Sequence, residues 1–140
     1  MRGLEGKNVL ITGGANGIGA ATAERFLSEG SNVVIIDKDV ESCSKIKNSL
    51  SGLTGVIVAD VSDPEDVKRA MADSDILFDR LDILINNAGI SMREPFLNIS
   101  IKKWKEVMGV NLDGVFYVAK EAARRMYNSC LLYTSPSPRD

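Results

Sequence analysis

Short apolar runs alternate with amphipathic stretches along most of this chain. The runs are rich in aliphatic and β-branched residues and predict buried strands at residues 9–11, 32–37, 56–59 and 82–85. Between them, apolar residues recur at helical spacing over residues 20–27, 40–50 and 64–78. Asp63 is suited to cap the third helix, with Pro64 in its first position. This alternation predicts an α/β fold, a doubly wound parallel sheet covered on both faces.

Two further helices joined by a bend are predicted after the fourth strand. Ser100 is suited to cap the first of them. Gly109 and Asn111 are poor residues for a helix interior, so we expect a bend there. An apolar stripe over residues 115–126 predicts that the second helix runs to about Tyr127. The apolar positions of the first helix are Ile101, Trp104, Val107 and Met108, of which the tryptophan is assigned to the core.

A glycine-rich turn over residues 11–19 joins the first strand to the first helix. Its spacing is T-G-x-x-x-G-x-G, which does not satisfy the G-x-G-x-x-G dinucleotide pattern in any frame. Glycines permit positive φ and a close approach of the backbone to a ligand. Because the N–H groups of the next helix have no partners in its first turn, they suit a phosphate group. The alternative is a tight strand-to-helix connection without a ligand.

Composition excludes several function classes. Lys and Arg number 17 against 19 Asp and Glu, the net charge is −2, and no basic run occurs, so nucleic acid is not an expected partner. The chain contains no histidine, and Cys43 and Cys130 are isolated, so no metal site or disulfide framework is expected. No apolar run approaches membrane-spanning length and no signal segment is evident, so we expect a soluble cytoplasmic protein without membrane contact.

Polar residues follow the second, third and fourth predicted strands. Asp37 can accept hydrogen bonds from both ribose hydroxyls of an adenosine and would repel a 2′-phosphate, although Lys38 could soften that repulsion. Asp60-Val61 follows the third strand and Asn86-Asn87-Ala88-Gly89 the fourth. The alternatives are a solvated carboxylate for Asp37, a helix cap for Asp60 and a generic turn for residues 86–89.

Taken in order, these motifs resemble the short-chain dehydrogenase/reductase family over residues 7 to about 128. The resemblance implies a Rossmann fold with strand order 3-2-1-4 and NAD as the cofactor, NADP being disfavoured because Asn16 stands where NADP-preferring relatives place Arg or Lys. It implies that the Asp60-Val61 pair contacts adenine and that Asn86 stabilises the sheet. The implied cofactor-binding residues are Thr12, Gly13, Asn16, Gly17, Ile18, Gly19, Asp37, Asp60, Val61, Asn87, Ala88, Gly89 and Val110.

Asn111 matches the catalytic Asn of that family. Its amide can bond backbone groups and hold the bend, which frees a carbonyl to bind water in a proton relay; a plain helix-junction Asn is the alternative. Family chemistry is reversible hydride transfer between the nicotinamide and an alcohol or ketone, with a Tyr as acid/base, a Lys four residues later and a Ser. No tyrosine here fits Y-x-x-x-K, because position +4 holds Glu121 after Tyr117, Leu131 after Tyr127 and Ser137 after Tyr133.

We therefore expect a truncated Rossmann domain of about four strands, inactive by itself, with one of the four catalytic residues. The rival interpretation is a non-catalytic NAD-binding module or sensor. The resemblance also implies that the full-length protein is a homo-oligomer, a dimer or tetramer, paired through the helix at residues 115–126.

The last eleven residues, 130–140, break the pattern and are predicted to be neither strand nor helix. They match, residue for residue, the translation of one frame of a transposase-type sequencing adapter. We therefore divide the chain into a partial NAD(P)-binding domain at residues 1–129 and a non-native tail at residues 130–140. A natural Pro/Ser-rich disordered tail is the alternative.

Overall fold

The computed structural model describes residues 2–133, and side chains as far as residue 130. Its strands are β1 (Asn8–Thr12), β2 (Asn32–Asp37), β3 (Gly55–Val58) and β4 (Ile83–Asn86). Its α-helices are α1 (Gly17–Ser28), α2 (Val40–Ser49), α3 (Pro64–Leu77), α4 (Ile101–Met108) and α5 (Val115–Tyr133), with a short 3₁₀ turn at Phe96–Asn98. The four strands form one parallel sheet in the order β3-β2-β1-β4, so the predicted fold and strand order are confirmed.

Both faces of the sheet are buried because successive side chains along a strand point to opposite faces. Leu10, Val34 and Ile36 pack on one face with α3 and α5 residues such as Met71 and Val118. The other face carries a second buried cluster: Val9, Ile11, Ala15, Ala23, Val33, Ile35, Cys43 and Ile46. This two-sided burial explains why the strands are almost continuously apolar.

The strand register brings the carboxyl ends of all four strands to one edge of the sheet. Thr12, the last residue of β1, pairs with Ile36 in β2 and with Asn86 in β4. Asp37, the last residue of β2, pairs with Val58 in β3. Because all four strands are parallel, the segments that follow them emerge side by side, which is where open α/β sheets bind ligands.

Two of the predicted helix caps are confirmed. Asp63 accepts hydrogen bonds from the N–H groups of Glu65 and Asp66, and Pro64 occupies the first turn of α3. The Ser100 hydroxyl accepts from the N–H of Lys103 at the start of α4.

The predicted bend is a π-helical turn at Gly109–Gly114, between α4 and α5. Helix α5 continues to Tyr133, so the prediction that it ends near Tyr127, and that residues 130–133 are not helical, is wrong. The helix end was predicted from the apolar stripe at residues 115–126, but the hydrogen-bonded backbone of α5 continues beyond that stripe. The remainder of the predicted tail, residues 134–140, lies outside the described residues.

The core assignment of Trp104 is also wrong. Its surface is 47% exposed, and Ile101 on the same helix is 74% exposed, whereas Val107 is buried. Among the described residues, the apolar stripe of α4 is therefore buried at its C-terminal end, around Val107. Within residues 2–133, no helix combines the length and apolar character needed to cross a membrane.

Candidate cofactor-binding site

A cleft of about 400 Å³ opens at the carboxyl ends of the strands. Of the predicted cofactor-binding residues, those that line it are Gly13, Asn16, Gly17, Ile18, Asp37, Asp60, Val61, Asn87, Ala88, Gly89 and Val110. Thr12 and Gly19 lie behind this lining, and Asn111 is outside it. The lining also includes residues that the sequence reasoning did not assign to the site: Ile36, Lys38, Asp39, Ala59 and Ile90.

The glycine turn lies directly against the segment that follows β4. A Cβ on Gly13, whose φ is +62°, would lie 2.9 Å from the Cα of Ala88. A Cβ on Gly19 would lie 2.0 Å from the carbonyl oxygen of Gly13. Gly17 also has positive φ, +53°, but no atom of the described residues lies within 4 Å of the place where its Cβ would be. Two glycines thus allow close packing of the turn, while the third leaves open space beside the cleft.

Hydrogen bonds of Thr12 and Asn87 stabilise the contact between the glycine turn and the segment after β4. The buried Thr12 hydroxyl accepts hydrogen bonds from the N–H groups of Asn87 and Ala88, each 3.0 Å long. The Asn87 side-chain amide donates to the carbonyl oxygens of Thr12, at 3.1 Å, and Gly13, at 3.2 Å. Thr12 therefore supports the cleft from behind.

Asn86 stabilises the sheet from the other side. Its amide nitrogen donates to the carbonyl oxygen of Val115 at 2.9 Å, which ties β4 to the first residue of α5. Its Oδ1 accepts from the Thr12 hydroxyl at 3.4 Å. These contacts join β1, β4 and α5 at the base of the cleft.

The Asp37 carboxylate is fixed in the wall of the cleft. One oxygen accepts from the N–H of Ala15 at 3.2 Å, and the other accepts from the N–H of Asp39 at 3.1 Å. Each carboxylate oxygen has two acceptor sites, so both keep capacity for a ligand hydroxyl. Lys38, the neighbouring cation, makes no hydrogen bond or ion pair with any residue in the described part of the chain.

Asp39 caps the start of α2. It accepts from the N–H groups of Glu41 and Ser42 and from the Ser42 hydroxyl. The hydrogen bonds from Ser42 hold the pKa of the Asp39 carboxyl below its ordinary value, so this group is an anion at neutral pH. The wall beside Asp37 therefore carries a second negative charge.

The N-terminus of α1 faces the cleft without a side-chain cap. Asn16 has the extended backbone of an N-cap, with φ −141° and ψ 165°, yet its side chain makes no capping hydrogen bond within the described structure. No acidic residue lies in the first turn of α1. Since the first N–H groups of a helix have no intrahelical acceptor, they are available to an anionic ligand.

Asp60 begins a short turn just after β3, beside the end of β2, where the Ala59 N–H donates to the carbonyl oxygen of Asp37. The Asp60 Oδ1 accepts from the Ser62 N–H at 2.9 Å and from the Ser62 hydroxyl at 2.7 Å. Its own N–H donates to Asp66, and this bond, together with Arg69, lowers the pKa of the Asp66 carboxyl. Asp60 thus adopts a local turn without being the cap of α3, which Asp63 provides.

Asn111 does not line the cleft itself but contacts a lining residue, Ile90. Its Oδ1 accepts from the N–H of Ile90 at 2.9 Å, and its Nδ2 donates to the carbonyl oxygen of the same residue at 2.8 Å. The expectation that this amide bonds backbone groups is met, but the backbone belongs to the loop after β4. The π-helical turn therefore presents Asn111 to a residue of the cleft.

Residues 7–130 match the family model described as short chain dehydrogenase. Meso-2,3-butanediol dehydrogenase from Serratia marcescens is 36% identical over 135 residues, covering 94% of this chain and 54% of that protein. The structure of 3-ketoacyl-(acyl-carrier-protein) reductase from Brucella melitensis complexed with NADH matches with a TM-score of 0.86 at 30% identity, covering 92% of this chain and 54% of that one.

A structure of NAD⁺-bound xylitol dehydrogenase matches with a TM-score of 0.85 at 30% identity, covering 91% of this chain and 51% of that one. This chain therefore spans about half the length of these relatives. With the fold, the cleft and the matched range taken together, the chain belongs to the short chain dehydrogenase family, a family of oxidoreductases.

Proposed function

We propose that this chain is the cofactor-binding half of an oxidoreductase that transfers hydride reversibly between NAD(H) and a small alcohol or ketone. The observation that carries the proposal is the pairing, in one cleft, of the Asp37 carboxylate with the uncapped N-terminus of α1. A dinucleotide needs both features, because it presents ribose hydroxyls and a negatively charged pyrophosphate. The NADH- and NAD⁺-bound relatives support a nicotinamide cofactor.

The lining residues fit such a cofactor. The first turn of α1 and the glycine turn would hold the pyrophosphate, with room beside Gly17. Asp37 would accept the adenosine ribose hydroxyls, and the Asp60-Val61 pair would contact adenine. Residues 87–89 and Val110 would line the remainder of the site. When bound, the nicotinamide ring gives or takes the hydride.

NAD is favoured over NADP by the charges on one wall of the cleft. Asp37 and Asp39 both line it, and Lys38 is the one cation among its described lining residues. A 2′-phosphate placed near two carboxylates is repelled by about 1–4 kcal/mol per charge pair at close range, depending on the local dielectric. Lys38 offsets part of that repulsion.

Catalysis requires groups that this chain does not supply in the family's pattern. We propose that the 140-residue chain is inactive because none of its three tyrosines is followed four residues later by a lysine. Asn111 would contribute to the complete enzyme by holding the backbone of Ile90 beside the cleft. The acid/base Tyr, its Lys and the Ser would come from sequence beyond this chain.

A non-catalytic NAD-binding module is the second candidate, because the Asp37 carboxylate and the uncapped N-terminus of α1 both lie within the described residues. Sequencing the gene past codon 129 distinguishes the two. Native codons that continue to a Ser and a Y-x-x-x-K motif, in a product that oxidises secondary alcohols with NAD⁺, support the enzyme. A genomic stop codon after Asp140 contradicts both the enzyme and the adapter origin of residues 130–140.

We further propose a cytoplasmic homo-oligomer. The described part of α5 exposes two aromatic side chains, Phe116 at 60% and Tyr127 at 66%, which are suited to pairing with another subunit. Size-exclusion chromatography of the complete protein with light scattering tests this assembly directly.

A further inference from the structure

Asn16 is placed to cap its own helix and does not. Asn is among the strongest N-cap residues, because its side-chain oxygen can accept from the second or third N–H of the helix. Here its amide nitrogen instead donates to the Ser42 hydroxyl, 2.6 Å away at the first turn of α2. The N–H groups of Ile18 and Gly19, which a cap would satisfy, are left for another acceptor.

The direction of the hydrogen bonds sets which end of the Asn16 amide meets Ser42. The ionised Asp39 carboxylate can only accept, and it accepts from the Ser42 hydroxyl at 2.7 Å. Because a hydroxyl has one proton, the Ser42 oxygen can then only accept from Asn16. The amide nitrogen must therefore point to Ser42. The Asn16 oxygen, the atom that capping requires, has no hydrogen-bond partner among the described residues.

Both carboxylate oxygens of Asp39 are hydrogen-bonded within the first turn of α2. One of its oxygens accepts from the N–H groups of Glu41 and Ser42, and the other accepts from the Ser42 hydroxyl. Ser42 therefore links Asp39, the N-cap of α2, to Asn16, the N-cap residue of α1.

We infer that Ser42 and Asp39 are positioning residues which hold the Asn16 side chain away from the N-terminus of α1, so that its N–H groups stay open for the pyrophosphate of the cofactor. This inference rests on the proposed function. Without Ser42, the Asn16 oxygen can turn to Ile18 or Gly19 and compete with the ligand for the same donors.

The test is the affinity of the 140-residue chain for ADP-ribose, measured by calorimetric titration. Ser42→Ala should weaken binding about threefold to tenfold, the factor expected when a ligand must displace an Asn cap. Ser42→Thr keeps a hydroxyl and should bind like the wild type. Asp39 still accepts from backbone N–H groups in either variant, so α2 keeps its cap.

A double-mutant cycle shows whether the effect passes through Asn16. In an Asn16→Ala background, Ser42→Ala should change the affinity by less than about twofold, because no competing cap can form. Amide exchange of Ile18 and Gly19 in the ligand-free chain should slow in Ser42→Ala and not in the double variant. A purely structural role of Ser42 would not produce this protection.

Two outcomes overturn the inference alone: wild-type affinity in Ser42→Ala, or an equal loss in both Asn16 backgrounds. Failure of the wild-type chain to bind ADP-ribose overturns the proposed function and the inference together.

Discussion

The side-chain amide of Asn111 closes a two-hydrogen-bond ring on the backbone of Ile90, with bonds of 2.9 and 2.8 Å. The two residues are 21 positions apart, one in the π-helical turn and the other in the loop after β4. Ile90 lines the cleft next to Gly89. The ring therefore couples the turn between α4 and α5 to the wall of the cleft.

Asn111→Ala removes both bonds and should lower the free energy of unfolding by about 1–2 kcal/mol, measured in urea. Asn111→Asp keeps the acceptor for the Ile90 N–H but sets a carboxylate oxygen against the Ile90 carbonyl oxygen, so it should be no more stable than the alanine variant. Faster amide exchange at Ile90 should accompany the loss. Unchanged exchange at Ile90 in Asn111→Ala would show that the ring is not formed in solution.

Two conservative substitutions of Thr12 should differ in their effect on the free energy of unfolding. The buried hydroxyl accepts from the N–H groups of Asn87 and Ala88. Thr12→Val keeps the shape and leaves both donors unpaired, so it should lower the free energy of unfolding by about 2–4 kcal/mol. Thr12→Ser keeps the acceptor and should lose about 1 kcal/mol or less, for the missing methyl group. Equal losses in the two variants would contradict the role of the hydroxyl.

Gly→Ala changes at Gly19, in the glycine turn, and at Gly109, in the π-helical turn, should have opposite effects. At Gly19 the new Cβ would lie 2.0 Å from a backbone oxygen, so Gly19→Ala should displace the turn and abolish ADP-ribose binding. At Gly109 the nearest atom is the Cβ of Ser62, at an ordinary 3.7 Å, and the backbone is helical. Gly109→Ala should therefore stabilise the fold by about 0.5–1 kcal/mol. Wild-type binding by Gly19→Ala would refute the packing described for the turn.

Because the Cys43 thiol is buried, the stability of the fold should depend on pH in the alkaline range. Burial, with smaller contributions from the charges of Asp37 and Asp39, raises the pKa of this thiol from 9.0 to about 11. Between these values the unfolded chain loses a proton that the folded chain keeps, so the thiol's contribution to stability falls as pH rises. It is fully present below about pH 9.

Chemical unfolding of the wild type and of Cys43→Ala at about pH 8 and pH 10.5 measures this contribution. The wild type should lose more stability than the variant across that interval, with the titration of other groups common to both. Parallel losses would show that the Cys43 thiol titrates normally in the folded chain.

Local patterns were sufficient to predict the layout of the fold. Continuous apolar runs located each strand to within about one residue, because strands buried on both faces leave a strong signal. Asp63-Pro64 and Ser100 marked the starts of two helices, since caps act within three residues. The strand-end positions of Asp37 and residues 86–89 predicted where the cleft would be.

Contacts between distant residues left no such signal. Asn16 meets Ser42 across 26 positions, and neither the turn nor α2 has a periodicity that predicts the pairing. Asp39 belongs to none of the motifs recognised in the sequence, and its place in the cleft is set by the folded chain. Trp104 was misassigned because helical spacing shows that residues share a face, but not whether another element covers it.

The most direct measurement is the affinity of the wild-type chain for NAD⁺ against NADP⁺, compared with Asp37→Ser and Lys38→Ala. The wild type should bind NAD⁺ more tightly by about tenfold or more, a ratio that corresponds to about 1.4 kcal/mol of repulsion. Asp37→Ser should narrow that ratio and Lys38→Ala should widen it. Tighter binding of NADP⁺ than of NAD⁺ by the wild type would contradict the proposed site.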